Sequence, residues 1–131
     1  NDRRILFLGP VYEPGHIEEL HSSAYAYIHG NEVGGTNPAL LKAMGSGNCI
    51  IALDVPFNRE VLGDAGLYFK DVAELKRNIE LLLENQQILN SLRQKAKERA
   101  RNLYRWEDVV NGYEKIFMGL KYGKQKTSDI Y

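Results

Sequence analysis

The 131-residue sequence predicts an α/β fold, in which a Rossmann-like parallel sheet is flanked by helices. Two observations predict this class. Short apolar runs alternate with stretches of helical spacing between Arg4 and Phe69, as in proteins built from strand-helix-strand units. From Asp71 onward the spacing is helical only, which is typical of terminal helices that cover such a sheet. The length corresponds to about one domain.

Four short strands are expected. The clearest covers residues 49–53 (CIIAL), a continuously apolar run of the kind found where both faces of a parallel sheet are covered. Before it, residues 24–30 (AYAYIHG) are rich in β-favouring side chains, and residues 4–8 (RILFL) end at a Gly-Pro turn signal. Residues 67–69 (LYF) are the fourth candidate, after a predicted loop at residues 54–66. Four strands are few for a doubly wound domain, so we expect the front of the sheet to be missing.

Two helices are expected between these strands. Residues 16–24 place apolar side chains at helical spacing. A second helix is predicted over residues 38–44, because Asn37 is a good N-cap and Pro38 suits the first helical position.

Three further helices are expected after the last strand. The first has one apolar face, formed by Leu75, Ile79, Leu82 and Leu83. The others are predicted over residues 87–104 and 106–120, with Trp106 as a core anchor of the last one. Many basic residues concentrate at residues 93–105, a run that is usually a solvated helix face.

Composition excludes several classes of function. Seventeen basic and seventeen acidic residues cancel, so no overall field favours nucleic acid or anionic lipid. The single cysteine, Cys49, excludes an internal disulfide and suits a reducing compartment, and its apolar neighbours indicate a buried side chain. No apolar run approaches the roughly 20 residues that cross a bilayer. We therefore expect a cytoplasmic protein that does not bind nucleic acid.

The loop after the strand at residues 24–30 combines features that suit a ligand. Gly34 and Gly35 permit a positive φ and close approach of a ligand, and the helix that follows presents N–H groups and a positive dipole end that favour phosphate. Thr36 and Asn37 add short polar groups at the same place. Glu32 could accept hydrogen bonds from sugar hydroxyls or balance positive charge in a transition state. Phosphate beside a polyol is typical of a nucleotide sugar.

The residues alone leave this interpretation open, since a Gly-Gly pair before a capped helix also occurs in loops that bind nothing. The G-x-G-x-x-G and G-x-x-x-x-G-K-[ST] fingerprints are absent, which argues against a Rossmann dehydrogenase and a P-loop NTPase. His16 and His21 have no partner at metal-ligand spacing. His29 lies next to the loop, where a structural role is the commoner reading and contact with a sugar hydroxyl the alternative.

Residues 32–69 run from Glu-Val-Gly-Gly-Thr-Asn-Pro to Gly-Asp-Ala-Gly-Leu-Tyr-Phe. This stretch resembles the donor-binding segment of family 4 retaining glycosyltransferases with the GT-B fold. That family typically shows Glu-Gly-Phe-Gly, Pro-Leu-Leu-Glu-Ala-Met, an apolar strand and a Pro-Glu-Val-x-Gly-Asp-Ala-Gly tail. The likeness extends over essentially the whole chain, including Trp106 and Tyr113 of the last predicted helix. The spelling His-Gly-x-Glu-Val-Gly-Gly-Thr-Asn-Pro is similar to a branch that contains bacterial rhamnosyltransferases.

The resemblance implies the C-terminal, donor-binding half of such an enzyme, truncated before its first βα unit. Residues 1–120 would form the nucleotide-sugar domain and residues 121–131 a polar, frayed tail. The whole enzyme would transfer rhamnose or another hexose, with retention, to a glycan or lipid-linked acceptor in bacterial polysaccharide biosynthesis. The missing N-terminal domain would hold the acceptor, so this chain alone is expected to be inactive. No cofactor or metal is expected, and the full enzyme could associate with the inner face of the membrane.

Carried over position by position, the resemblance makes Glu32 the catalytic carboxylate that meets the donor sugar near the reacting centre. Gly34, Gly35, Thr36 and Asn37 correspond to the loop whose amides meet the sugar and the diphosphate. Leu40 corresponds to a position that approaches the nucleotide.

The sequence departs from the family pattern at Lys42, where the second family glutamate typically holds the ribose diol. A carboxylate accepts from two hydroxyls, whereas an ammonium only donates. Lys42 is either a repurposed ligand or a solvated surface residue. Nine residues separate Glu32 from Lys42, against seven in the common motif, so the loop is longer than usual. The Arg and Lys that clamp the diphosphate in the family would lie before Asn1.

Two alternatives stay open. Lys42 motivates a non-catalytic sugar-nucleotide-binding or scaffold module with a degenerate site. The other alternative is a plain α/β interaction domain whose Gly-Gly loop binds no ligand. Glu60 stands at the position of the family's Pro-Glu-Val glutamate, where it lines the donor site or caps the following turn.

Overall fold

The computed structural model describes residues 2–35 and 37–123, the last two of these by backbone alone. Within these residues, β1 (Tyr27–His29), β2 (Ile50–Leu53) and β3 (Leu67–Phe69) form a parallel sheet in the order β1-β2-β3. The helices around it are α1 (His16–Ser23), α2 (Pro38–Gly45), α3 (Pro56–Leu62), α4 (Val72–Glu84), α5 (Gln86–Leu103) and α6 (Trp106–Gly123). The predicted α/β class, with a parallel sheet and flanking helices, is confirmed.

The central strand β2 is covered on both faces, as its continuous apolar run predicts. Ile50 and Ala52 lie on one face, in a core built mainly from α2, α3 and α5. Cys49 and Ile51 lie on the other, packed with buried leucines of α4 and α5. Burial raises the pKa of the Cys49 thiol to about 11, so it packs as a small apolar group rather than as a nucleophile.

The prediction of a first strand at residues 4–8 is wrong. Residues 4–8 form no strand, and their apolar side chains are exposed, Phe7 to 93%. A strand needs a hydrogen-bonded neighbour, and in the described sheet β1 pairs with β2 only. The second predicted strand is also shorter than expected, since β1 covers Tyr27–His29 of residues 24–30.

The predicted loop at residues 54–66 contains helix α3, which sequence reasoning missed. Pro56 occupies its first turn, where the ring sets φ for a helix and no N–H is needed. Asn58, Val61 and Leu62 are buried at helical spacing, but the polar asparagine interrupts the apolar pattern.

Two packing predictions for the later helices need correction. Leu83 is 66% exposed because the adjacent Leu82 takes the core-facing position of α4. Trp106 is 76% exposed at the start of α6 and is therefore not a core anchor among the described residues. Helix α6 also continues to Gly123, past the predicted boundary at residue 120, and residues 124–131 of the predicted tail lie outside the described range.

The basic run at residues 93–105 is more than a solvated face. Arg93 donates to the carbonyl oxygens of Ala24 and Tyr25, just before β1. Arg99 donates to two carbonyl oxygens at the end of α3. Both guanidinium groups therefore bind backbone carbonyl oxygens, and α5 fastens the segments that flank the sheet.

Candidate functional site

The loop after β1 lies at the carboxyl edge of the sheet, where β2 and β3 also end. Ligands of open parallel sheets bind outside this edge. Glu32, Gly34 and Gly35 lie in this loop and are exposed. Gly34 has a φ of +154°, and a Cβ built on either glycine would meet no described atom within 4 Å. The loop thus presents a carboxylate and an unobstructed backbone. The fourth loop residue predicted to bind, Thr36, lies outside the described residues.

A buried asparagine holds the start of this loop. The side-chain amide of Asn58, on α3, donates to the carbonyl oxygens of Asn31 at 3.1 Å and Leu53 at 2.9 Å. Asn58 is 3% exposed, so it joins the residue before Glu32 to the end of β2 inside the protein. The sequence analysis did not identify Asn58. A polar residue on the buried face of a helix would have indicated it, but helix α3 was not predicted.

The amino end of α2 is largely satisfied by its own cap. The predicted role of Asn37 as N-cap is confirmed, since its Oδ1 accepts from the N–H of Ala39 at 3.0 Å. The Asn37 carbonyl accepts from Leu41 at 3.1 Å, and Pro38 has no N–H. Among the described groups of this first turn, the Leu40 N–H and the Asn37 side-chain NH₂ remain as donors for an anion.

Leu40 does not line an accessible surface. Its side chain is fully buried in the core with Ala43 and Met44 of the same helix. Burial of an aliphatic side chain in this core is favourable by roughly 2 kcal/mol. A ligand at the amino end of α2 could therefore contact the Leu40 backbone but not the Leu40 side chain. The predicted contact between Leu40 and a nucleotide is limited to the backbone.

Lys42 extends from α2 toward α1. Its Nζ lies 3.4 Å from Glu18 Oε1, and both side chains are about half exposed. A backbone hydrogen bond at Glu18 and then the Lys42 ammonium hold the pKa of Glu18 below its usual value. The position that carries a glutamate in the resembled family thus forms a surface ion pair in this chain.

The end of β2 carries a paired charge cluster. Asp54 binds Arg59, and Lys70 Nζ lies 3.8 Å from its other oxygen. The Arg59 hydrogen bond is the main reason that the pKa of Asp54 is lowered. The Arg59 guanidinium also stacks 4.3 Å over the Tyr68 ring. Glu60, next on α3, has an exposed side chain, and its carbonyl oxygen accepts from Arg99.

The described residues contain no group of three His, Cys, Asp or Glu side chains placed to hold a metal ion. His16 pairs with Glu13, its Nδ1 2.8 Å from the carboxylate. His29, the last residue of β1, is buried, and its Nδ1 lies 3.2 Å from the Tyr27 hydroxyl. In the same described range, no helix is long and apolar enough to span a bilayer.

Comparison with known proteins gives two matches. Residues 1–103 match the sequence model of the family described as "Glycosyl transferases group 1". The "Uncharacterized glycosyltransferase MJ1069" of Methanocaldococcus jannaschii is 34% identical over 96 residues, which is 70% of this chain and 24% of the relative. The chain therefore spans about a quarter of the length of this relative.

Proposed function

Because the chain belongs to the glycosyl transferases group 1 family, we propose that it is the donor-binding part of a retaining glycosyltransferase. The donor is a nucleotide diphosphate sugar, with rhamnose or another hexose as the transferred group. Parts of the enzyme outside this chain hold a glycan or lipid-linked acceptor. Donor binding requires no metal ion or other cofactor. A role in bacterial polysaccharide biosynthesis at the inner face of the membrane belongs to the same proposal.

The observation that supports this proposal best is the exposed Glu32-to-Gly35 loop, tied by Asn58 to the carboxyl edge of the sheet. Loss of the nucleotide leaves negative charge on the diphosphate and develops positive charge on the sugar. The amino end of α2, with the Leu40 N–H and the Asn37 amide, stabilises the first. The Glu32 carboxylate lies in the same loop, where it accepts from the sugar and stabilises the second.

Titration of the ¹⁵N-labelled chain with UDP, UDP-glucose and dTDP-L-rhamnose tests this proposal. We expect amide shifts at residues 30–35, 37 and 39–42, unchanged by EDTA. We expect Glu32→Gln to weaken sugar-nucleotide binding about tenfold while UDP binding changes little, because hydrogen bonds to charged groups contribute about 1.5–3 kcal/mol.

Glu84→Gln is the matched control, since Glu84 is an exposed carboxylate at the end of α4. It should bind all three nucleotides like the parent chain. Shifts confined to other surfaces, or no shift at millimolar concentrations of any of the three, would contradict donor binding at this loop.

The Lys42–Glu18 ion pair favours one rival, a sugar-nucleotide module whose site has degenerated. Under our proposal Lys42 is a surface residue, so Lys42→Glu should change the dissociation constant for UDP by less than about fivefold, as exposed pairs contribute up to about 1 kcal/mol. Lys76→Glu, which breaks a comparable exposed pair with Glu80, is the control. A gain in affinity of more than about tenfold, seen for Lys42→Glu alone, would instead favour the degenerate module.

A further inference from the structure

A buried ring nitrogen at the end of β1 has no partner. His29 is 1% exposed, and its Nε2 forms no hydrogen bond with any described residue. Leaving a buried donor or acceptor unsatisfied costs about 1–3 kcal/mol. Such an atom therefore calls for a specific explanation.

The contact between Tyr27 and His29 bears on which ring nitrogen carries the proton. The Tyr27 hydroxyl lies 3.2 Å from His29 Nδ1, and the direction of this hydrogen bond depends on the His29 tautomer. Burial raises the pKa of the Tyr27 hydroxyl and lowers the pKa of His29, which favours the neutral form of both groups. The Tyr27 ring is held edge-on against His21, with centroids 4.8 Å apart. In the tautomer in which the hydroxyl donates to Nδ1, the single ring proton lies on Nε2, and Nε2–H is then a buried donor.

Position distinguishes this atom from the other orphan side-chain atoms among the described residues, Asn48 Oδ1 and Arg93 Nε. Asn48 precedes β2, and Arg93 binds the backbone that precedes β1, so both lie at the amino edge of the sheet. His29 pairs in register with Ala52 near the carboxyl edge and is followed directly by the loop that carries Glu32. The unsatisfied nitrogen is therefore at the edge where ligands of parallel sheets bind.

We propose that His29 is a further donor-binding residue, whose Nε2–H is covered in the free chain and donates a hydrogen bond to an oxygen of the sugar when the bound donor displaces the atoms that cover it. This inference rests on the proposed function. A neutral N–H suits a hydroxyl oxygen, and it complements Glu32, which can only accept. Together, Glu32 would accept a hydrogen bond from one sugar hydroxyl and His29 would donate a hydrogen bond to an oxygen of the sugar.

Long-range ¹H–¹⁵N correlation of the histidine rings tests the proposal directly. In the free chain we expect the His29 ring to show the neutral tautomer protonated at Nε2. UDP-glucose or dTDP-L-rhamnose should shift the Nε2 signal, whereas UDP should shift loop amides and leave Nε2 in place. His29→Phe should weaken binding of the sugar nucleotide about tenfold with UDP affinity unchanged, and His29→Gln, which keeps an N–H donor, should stay within about threefold of the parent.

His16→Phe is the control, because His16 is a partly exposed histidine whose ring pairs with Glu13, outside the loop after β1. If no nucleotide shifts the loop amides of the parent chain, the proposed function itself fails. If sugar nucleotides bind but Nε2 does not respond, or His29→Phe binds them like the parent, only the role of His29 is overturned. A nuclear Overhauser contact from Nε2–H to Thr36 that persists with ligand would also overturn it. If His29→Phe does not fold, the response of the Nε2 signal of the parent chain to sugar nucleotides tests the role of His29 without the variant.

Discussion

Gly66→Ala is expected to lower the free energy of unfolding by about 3 kcal/mol, the upper part of the range for overpacking a core. A Cβ at Gly66 would lie 2.5 Å from Leu62 Cδ2 and 2.7 Å from the Ile50 carbonyl oxygen. The leucine could turn aside, but the carbonyl belongs to the central strand and cannot move without disturbing the sheet. Replacing Gly by Ala usually stabilises a protein by about 0.4–1 kcal/mol, because it lowers the conformational entropy of the unfolded chain. That gain is too small to offset the cost of the clash.

Urea denaturation followed by circular dichroism measures the effect. Gly112→Ala is the matched control, since Gly112 lies within α6 and a Cβ there would meet no described atom within 4 Å. The control should gain up to about 1 kcal/mol from helix propensity. Equal midpoints for Gly66→Ala and the parent chain would contradict this prediction and would show that the sheet accommodates a Cβ at this position.

This result would explain why part of the family tail is spelled Gly-Asp-Ala-Gly. Gly63 has a φ of +57° and would place a Cβ 2.7 Å from the Arg99 guanidinium carbon. Ala65 is 1% exposed in the core, and Gly66 passes against β2. Three of the four residues are therefore accounted for by packing, without any contact to a ligand. Likeness in this segment is evidence for the fold rather than for the substrate.

The sequence predicted those elements whose signals are local. Asn37 and Pro38 specify the start of α2 by capping and by a fixed φ, and both act over a few residues. The apolar run of β2 likewise needs no knowledge of its neighbours. Helix α3 was missed because its inward face includes Asn58, a polar residue whose burial makes sense only once its two partners are known. The strand predicted at residues 4–8 failed for the converse reason, since an apolar run does not by itself supply a partner strand.

The residues of the candidate site also differ in whether the sequence alone could locate them. The glycines and Glu32 could be located from sequence because the chain order after β1 puts them at the carboxyl edge. Asn58 could not be located, because it reaches Asn31 across 27 residues. His29 could be named beside the loop as one of two alternatives, but only the structure shows that its Nε2 is buried without a partner among the described residues.

Asn58→Leu is expected to destabilise the chain by about 2 kcal/mol and to release the loop after β1. Leucine has a similar size but donates no hydrogen bond. The Leu53 carbonyl keeps a partner in the N–H of Val55, whereas the Asn31 carbonyl loses its side-chain donor. The cost of an unsatisfied, partly buried acceptor is about 1–3 kcal/mol. Denaturation gives the stability change, and amide hydrogen exchange at residues 30–35 should accelerate.

Asn78→Leu separates this local effect from a general loss of stability. Asn78, on α4, also donates from a partly buried amide to a strand carbonyl, that of Tyr68, at 2.7 Å. Its loss should destabilise the chain to a similar degree while exchange at residues 30–35 and binding of sugar nucleotides stay unchanged. If Asn58→Leu behaves like Asn78→Leu in all three measurements, Asn58 only stabilises the fold. If it alone loosens the loop and weakens binding, the buried amide is what keeps Glu32 in place before a ligand arrives, and α3 is part of the site.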